Sequence, residues 1–438
     1  MASPALAALT GMHQAVFNAN RLATQLPLLV TLLRIPFHRL RYAIVGALLT
    51  LLVPHSWAVE TSPPPASAPK VAAHVPAKEK AAKKAKAKHL ADPNRQSGTT
   101  KPVQKAVKKK TTATSKISGP LYAGRDDAMA LADDIASRRQ LNPAWVRRMV
   151  GQSQYLAVVS RLMQPAPTST PKNWRVYRSR FIDPIRIEAG TRFWNTYSDA
   201  LQRAEKTYGV PPDIIVGIVG VETIYGQQVG TFRVMDALST LAFDFPASHP
   251  RASERAAFFK AELEQLLSLA HRNGIDPMAL RGSYAGAMGW PQFMPSSWAR
   301  FAVDFDGDGK VDLFNSPIDV IGSVANYFKA YNWQTGMPTH FAVGFDEAKL
   351  DKEALLAPDI LPTFSPASFS AKGAVLDDKA MAHNGPLALV ELQNGDEAPS
   401  YVAGTDNFYA ITRYNWSSYY AMAVIELGQE VARAVARR

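Results

Sequence analysis

The chain has 438 residues and not one cysteine. That absence excludes a disulfide framework, thiolate-ligated zinc, a thiol nucleophile and lipidation on a cysteine. Acidic residues are missing from positions 1–58, which hold four arginines, and residues 59–118 carry fourteen basic side chains against three acidic ones. These stretches contribute +4 and +11 to a formal net charge of +12, so residues 119–438 are left at −3. A basic tail sets the charge, and a near-neutral folded part argues against specific nucleic-acid recognition. A long apolar run is lacking too: Tyr42 to Val53 falls short of the ~20 residues a bilayer-spanning helix needs. That run follows Arg34, Arg39 and Arg41 and precedes Ser56-Trp57-Ala58, a small-x-small cleavage pattern. Residues 1–58 therefore read as a secretory signal, with periplasmic export as the consequence and an uncleaved inner-membrane tether as the alternative.

What is present divides the chain further. Residues 59–118 are Pro, Ala, Lys, Ser and Thr with almost nothing to build a core, which predicts a disordered linker. Such a tract serves as a spacer that lies along anionic membrane or wall polymers. Folded sequence occupies 119–438. Helix-period spacing runs through 126–163, with Asn142-Pro143 as a start, and through 190–208, giving a helical part over 119–208. Pro211-Pro212-Asp213 opens another helix, and helical patterns continue at 254–272 and 317–331 within a core over 209–335. Residues 336–415 turn to Gly, Pro and short alternating runs, Leu387 to Leu392 and Phe408 to Thr412, and predict a small β unit. A helix over 416–438 closes the chain, so the fold class is α+β, mainly α.

Ile214, Ile218 and Glu222 recur every four residues, which aligns a carboxyl group with the apolar face of a very hydrophobic helix. Poor hydration raises a carboxyl pKa, and an acid still protonated near neutral pH is what glycosidic cleavage asks of its proton donor. The plainer alternative is that Glu222 turns into water or pairs with an arginine.

Three separated motifs weigh on that choice. They are Gly220-Val221-Glu222-Thr223-Ile224-Tyr225-Gly226, then Asp236-Ala237-Leu238-Ser239-Thr240-Leu241, then Gly282 to Ser297 with Gly286-Ala287-Met288-Gly289-Trp290-Pro291-Gln292-Phe293 at its centre. In this order they resemble the membrane-bound lytic murein transglycosylase B family, and the likeness extends over about 120–438. The resemblance implies a lysozyme-like core with an additional helical region, a single catalytic glutamate at Glu222, and peptidoglycan glycan strands as substrate. It implies cleavage of the β-1,4 bond between N-acetylmuramic acid and N-acetylglucosamine with formation of 1,6-anhydro-N-acetylmuramic acid. By the same matching, Ser283 and Gln292 contact the sugar, Phe293, Tyr327, Tyr414 and Tyr420 shape the cleft, Asn415 adds a polar contact, and Tyr177 joins them. No organic cofactor is expected. The alternatives are a hydrolytic muramidase and a non-catalytic peptidoglycan-binding protein.

A second constellation, Asp304-Phe305-Asp306-Gly307-Asp308-Gly309-Lys310, begins like a calcium loop. Its oxygen ligands fall at positions 1, 3 and 5, its glycine at 6, and the Lys310 carbonyl at 7. Position 12 is Asn315 where a bidentate glutamate is usual, and the resemblance implies closure by the later Asp319. One unpaired loop predicts a structural ion.

Overall fold

The computed structural model describes residues 119–164 and 171–437. The expected signal over 1–58 and linker over 59–118 lie outside the described residues. After a short 3-10 turn at Tyr122–Gly124 come helices α1 (Asp126–Arg139), α2 (Pro143–Gln152), α3 (Ala157–Leu162), α4 (Trp174–Arg178), α5 (Pro184–Thr196), α6 (Ser198–Tyr208) and α7 (Pro212–Thr223). Strand β1 (Phe232–Arg233), α8 (Val234–Phe243), α9 (Ala252–Arg272), β2 (Arg281–Gly282), α10 (Pro295–Phe301) and α11 (Pro317–Ala330) follow. Then come β3 (His340–Ala342), β4 (Gly344–Phe345), α12 (Lys352–Leu356), α13 (Pro366–Ala371), β5 (Ala374–Val375), α14 (Asp378–Met381), β6 (Ala388–Asn394) and β7 (Glu397–Gly404). Helices α15 (Asp406–Thr412) and α16 (Ser418–Ala436) close the chain.

Four of the helix starts follow one local rule. A short polar side chain caps the first turn and a proline takes the first helical position, where its missing N–H costs nothing. Asn142 accepts from the Trp145 N–H, Asp183 from Arg186, Ser316 from Asp319 and Ser365 from Ser368, each just before a proline. Three antiparallel sheets are small: β1 with β2, β4 with β5, and β3-β7-β6. The last forms on the alternating run Leu387 to Leu392, pairing Leu389 with Ala403 and Leu392 with Ser400. Phe408 to Thr412 does not continue it. There Thr405 caps a helix by accepting from the Asn407 N–H, and Asn407 is buried with its amide donating to the carbonyls of Gln334 and Met337. The cap and those bonds outweigh the alternation.

Helix α7 is the centre of the larger core. From Ile214 to Val221 every residue is buried, so the apolar face foreseen from the four-residue spacing extends right round the helix. Each buried Ile or Val adds ~1.5–3 kcal/mol through surface removed from water. Helix α16 crosses α7 at backbone contact. A Cβ on Gly217 would sit 2.2 Å from the Val424 carbonyl oxygen, and one on Gly428 would sit 2.1 Å from that of Asp213. A separate small core of Leu355, Phe369, Leu387, Leu389 and Ala403 lies under the β3-β7-β6 sheet.

The crossing makes a testable demand. Gly217→Ala puts a methyl group against a rigid carbonyl and should cost ~1–3 kcal/mol by overpacking. It should also separate the side chains that α7 and α16 bring together at their ends. Urea unfolding and the activity described below measure the two effects, and wild-type values in both would contradict this packing.

Candidate active site

Glu222 occupies the last turn of α7. The helix ends one residue later because Ile224 and Tyr225 take left-handed backbone angles, φ 49° and 54°, an unusual conformation for non-glycine residues and costly for a β-branched one. Thr223 fixes this end: its hydroxyl donates to the Trp290 carbonyl at 2.9 Å and accepts from the Gly226 N–H at 3.1 Å. The end of α7 that carries Glu222 is therefore tied to the loop carrying the third sequence motif.

Burial pushes the Glu222 carboxyl up from 4.5 to about 7, and a hydrogen bond donated by the Tyr420 hydroxyl at 2.5 Å opposes that rise. Among the described residues no second carboxylate acts on it. The phenols of Tyr177, Tyr414 and Tyr420 are all pushed up, first by burial and then by the charge of Glu222. They surround the acid as neutral groups. The plainer reading of Glu222, an exposed or arginine-paired carboxylate, does not hold.

The remaining sugar-contact candidates form two sets. Phe293 and Tyr327 are buried, their rings 5.7 Å apart, and the Tyr327 hydroxyl is spent on the Arg413 carbonyl at 2.6 Å. Tyr414 lies 4.7 Å from Tyr327 and 6.4 Å from Tyr420, stacked on the latter, with its hydroxyl on the Pro291 carbonyl at 2.5 Å. Tyr414 thus joins Tyr420 to the Phe293–Tyr327 pair.

Ser283, Gln292, Asn415 and Tyr177 are partly accessible. Ser283 accepts from the Ala287 N–H at 3.1 Å, which leaves its own proton to donate. Gln292, at φ 50°, directs its amide nitrogen to the carbonyls of Gly289 and Val229 at 2.9 and 3.2 Å, which leaves its side-chain oxygen as an acceptor. The Tyr177 hydroxyl and the Asn415 side chain make no hydrogen bond among the described residues. Sequence reading missed the backbone partners, the carbonyls of Pro291 and Trp290, for which a motif carries no separate signal.

In the Asp304 loop, carboxylate oxygens of Asp304, Asp306 and Asp319 lie within 4.8 Å of one another. Asp319 is buried at 1% exposure and accepts backbone N–H groups from Phe305, Asp306 and Asp312 at 2.7, 3.2 and 2.8 Å. It closes the loop in the place that position 12 usually fills. Asp308 accepts from the Lys310 N–H at 2.8 Å and lies outside the three-carboxylate cluster. Ser316, not foreseen, donates to Asp306 at 2.6 Å. A set of hard oxygen donors carrying several negative charges suits a hard divalent cation.

Residues 124–429 match the family model of the transglycosylase SLT domain. The chain is 40% identical over 328 residues to membrane-bound lytic murein transglycosylase B of Escherichia coli (strain K12), covering 72% of this chain and 84% of that protein. It is similar to the Escherichia coli lytic transglycosylase SLT35 in complex with bulgecin A, with a TM-score of 0.64, 40% identity and coverage of 73% of this chain and 96% of that one. SLT35 in complex with calcium gives a TM-score of 0.63 at 39% identity, over 73% and 96% of the two chains. The lysozyme-like, mainly helical α+β fold expected from the sequence is borne out.

Burial of Glu222 has a consequence for stability. The fold raises its pKa above the ordinary 4.5 to about 7, so it favours the protonated form. The stability this contributes is full below about pH 4.5 and is lost as pH rises through about 7. Glu222→Gln cannot ionise. Relative to that variant, wild type should lose up to ~3 kcal/mol across this window in urea unfolding. A pH-independent difference would contradict the shift.

Proposed function

Because the chain belongs to the SLT-domain lytic transglycosylases, enzymes that cleave the glycan strands of peptidoglycan, we propose that Glu222 performs both proton transfers of its reaction. The observation that carries this is one carboxyl held near pKa 7, with a phenol as partner and no second acid acting on it. Ordinary glycosidases need two carboxyl groups. In lytic cleavage the substrate supplies the second function. Protonated Glu222 gives its proton to the glycosidic oxygen as the C1–O bond breaks. The C6 hydroxyl of the N-acetylmuramic acid then bonds to C1, and its proton passes to the Glu222 carboxylate. A 1,6-anhydro ring forms, the acid is restored and no water is consumed. Tyr420, donating to one carboxyl oxygen, orients the acid and steadies the carboxylate between the two transfers.

We assign Gln292, Ser283, Asn415 and Tyr177 to the sugar, and Phe293, Tyr327 and Tyr414 to the wall behind Tyr420. Residues 209–335 would then be the catalytic core, with 119–208 and 336–415 packed as accessory parts and 416–438 as the helix that completes the site. Asp304, Asp306, Asp308, the Lys310 carbonyl and Asp319 are the residues that would hold calcium, as a structural ion fixing the chain between α10 and α11. A peptidoglycan substrate and the Arg-flanked apolar run ending at Ser56-Trp57-Ala58 support a periplasmic location, with residues 59–118 as spacer. Among the described residues no helix is long and apolar enough to cross a membrane.

Glu222→Gln should abolish turnover, a loss of at least ~10³-fold, while leaving glycan binding intact, because the amide keeps the shape and cannot exchange the proton. Mass spectrometry of wild-type digests should find muropeptides lighter by one water than reducing-end products. Mainly reducing ends would favour the muramidase, and an active Glu222→Gln would overturn the site.

Calcium at millimolar concentration should raise the melting temperature, and Asp306→Asn should diminish that gain. A melting temperature indifferent to calcium and to chelator would remove the ion from the proposal.

A further inference from the structure

Helix α4, Trp174–Arg178, carries Tyr177 and is only five residues long. A helix of that length does not hold itself in water. Its support comes from outside. Asn173 caps it by accepting from the Val176 N–H at 3.1 Å, and the same residue forms an antiparallel bridge with Asn394 at the end of β6. The Gly395 N–H donates to the Lys172 carbonyl at 2.9 Å, and Arg175 pairs with Glu397 across the hairpin turn. Tyr419 then joins the two sides. Its hydroxyl donates to the Gln393 carbonyl at 3.0 Å while its ring meets Trp174 at 5.8 Å and Tyr177 at 5.7 Å, both edge-on.

We propose that the tip of the β6–β7 hairpin, Gln393 to Gly395, is a positioning device for the reaction, clamping residues 172–178 so that Tyr177 is a fixed wall of the catalytic cleft. The hairpin thereby acts on a site to which it contributes no side chain. The clamp is specific in shape. Gly395 has φ +68°, a backbone angle that a side chain would strain, and a Cβ there would lie 3.0 Å from the Asn173 side-chain nitrogen, so glycine lets the tip meet Asn173 without either side shifting. The tip's bonds are local and directional, and none belongs to the packing of α7. Displacing it would loosen the start of α4, whose far end stays tied to α16 through Arg178 and Glu426, and would let water reach Glu222 past the Tyr177 ring.

The inference rests on the reading of Glu222 as the acid and Tyr177 as a cleft residue. Its test uses the full chain, with Gly395→Ala and Tyr419→Phe as two independent disturbances of the tip and Tyr177→Ala as background. Each tip variant should lower kcat/KM by ~10-fold through misplacement of the wall. The alkaline limb of the pH profile should move to lower pH as Glu222 gains hydration. In the Tyr177→Ala background the same tip changes should cost nothing further, since the wall they position is gone. Should Gly395→Ala fail to fold, Tyr419→Phe, which keeps its ring, decides alone. Wild-type kcat/KM in the folded tip variants would overturn the inference, and so would losses that multiply with that of Tyr177→Ala. An active Glu222→Gln would instead remove the reading beneath it.

Discussion

The structure depends on the approach of α16 to α7 at the distance of bare backbone. Side chains at Gly217 and Gly428 would collide with the carbonyls of Val424 and Asp213, so the two helices meet closer than ordinary side chains allow. Everything specific to the site follows from that contact. Glu222 ends α7 and Tyr420 begins α16, and only a close crossing brings the phenol to 2.5 Å from the carboxyl. Their separation of 198 positions makes this a long-range contact that the whole domain must close.

The electrostatics of the site express a balance between two opposing effects. Burial raises the Glu222 pKa and the donated hydrogen bond from Tyr420 lowers it, leaving the group near neutrality, where one residue can give and later accept a proton. A buried lysine or arginine beside it would have pinned it as a carboxylate. Rings fill that space. Tyr414, Tyr327 and Phe293 exclude water and spend their hydroxyls, where they have them, on backbone carbonyls. The partly accessible polar groups, Ser283, Gln292, Asn415 and Tyr177, are those we assign to the sugar.

Two features away from the acid brace the elements around it. The Asp304 loop ties α10 to α11 through Asp319, whose buried carboxylate gathers three backbone N–H groups. The β6–β7 hairpin braces α4 from the other side. Neither is hydrogen-bonded to the acid: the loop holds α11, which carries Tyr327, and the hairpin bonds to the segment that carries Tyr177.

The sequence by itself determined the local and the chemical. Polar-proline pairs at 142–143 and 316–317 mark helix starts because capping is satisfied within a few residues. The motif around Glu222 named the acid and its enzyme family, and the aspartates at 304, 306 and 308 announced the loop. Tertiary structure decided the rest. Phe408 to Thr412 alternates like a strand but is helical, since Asn407 reaches carbonyls more than sixty residues away. Tyr420 was legible as a cleft residue but not as the partner of Glu222, because hydrogen bonding across 198 residues depends on how helices cross, and no local pattern records that. The role of Gly395 was silent for the same reason: what a missing side chain makes room for appears only when another segment occupies the space.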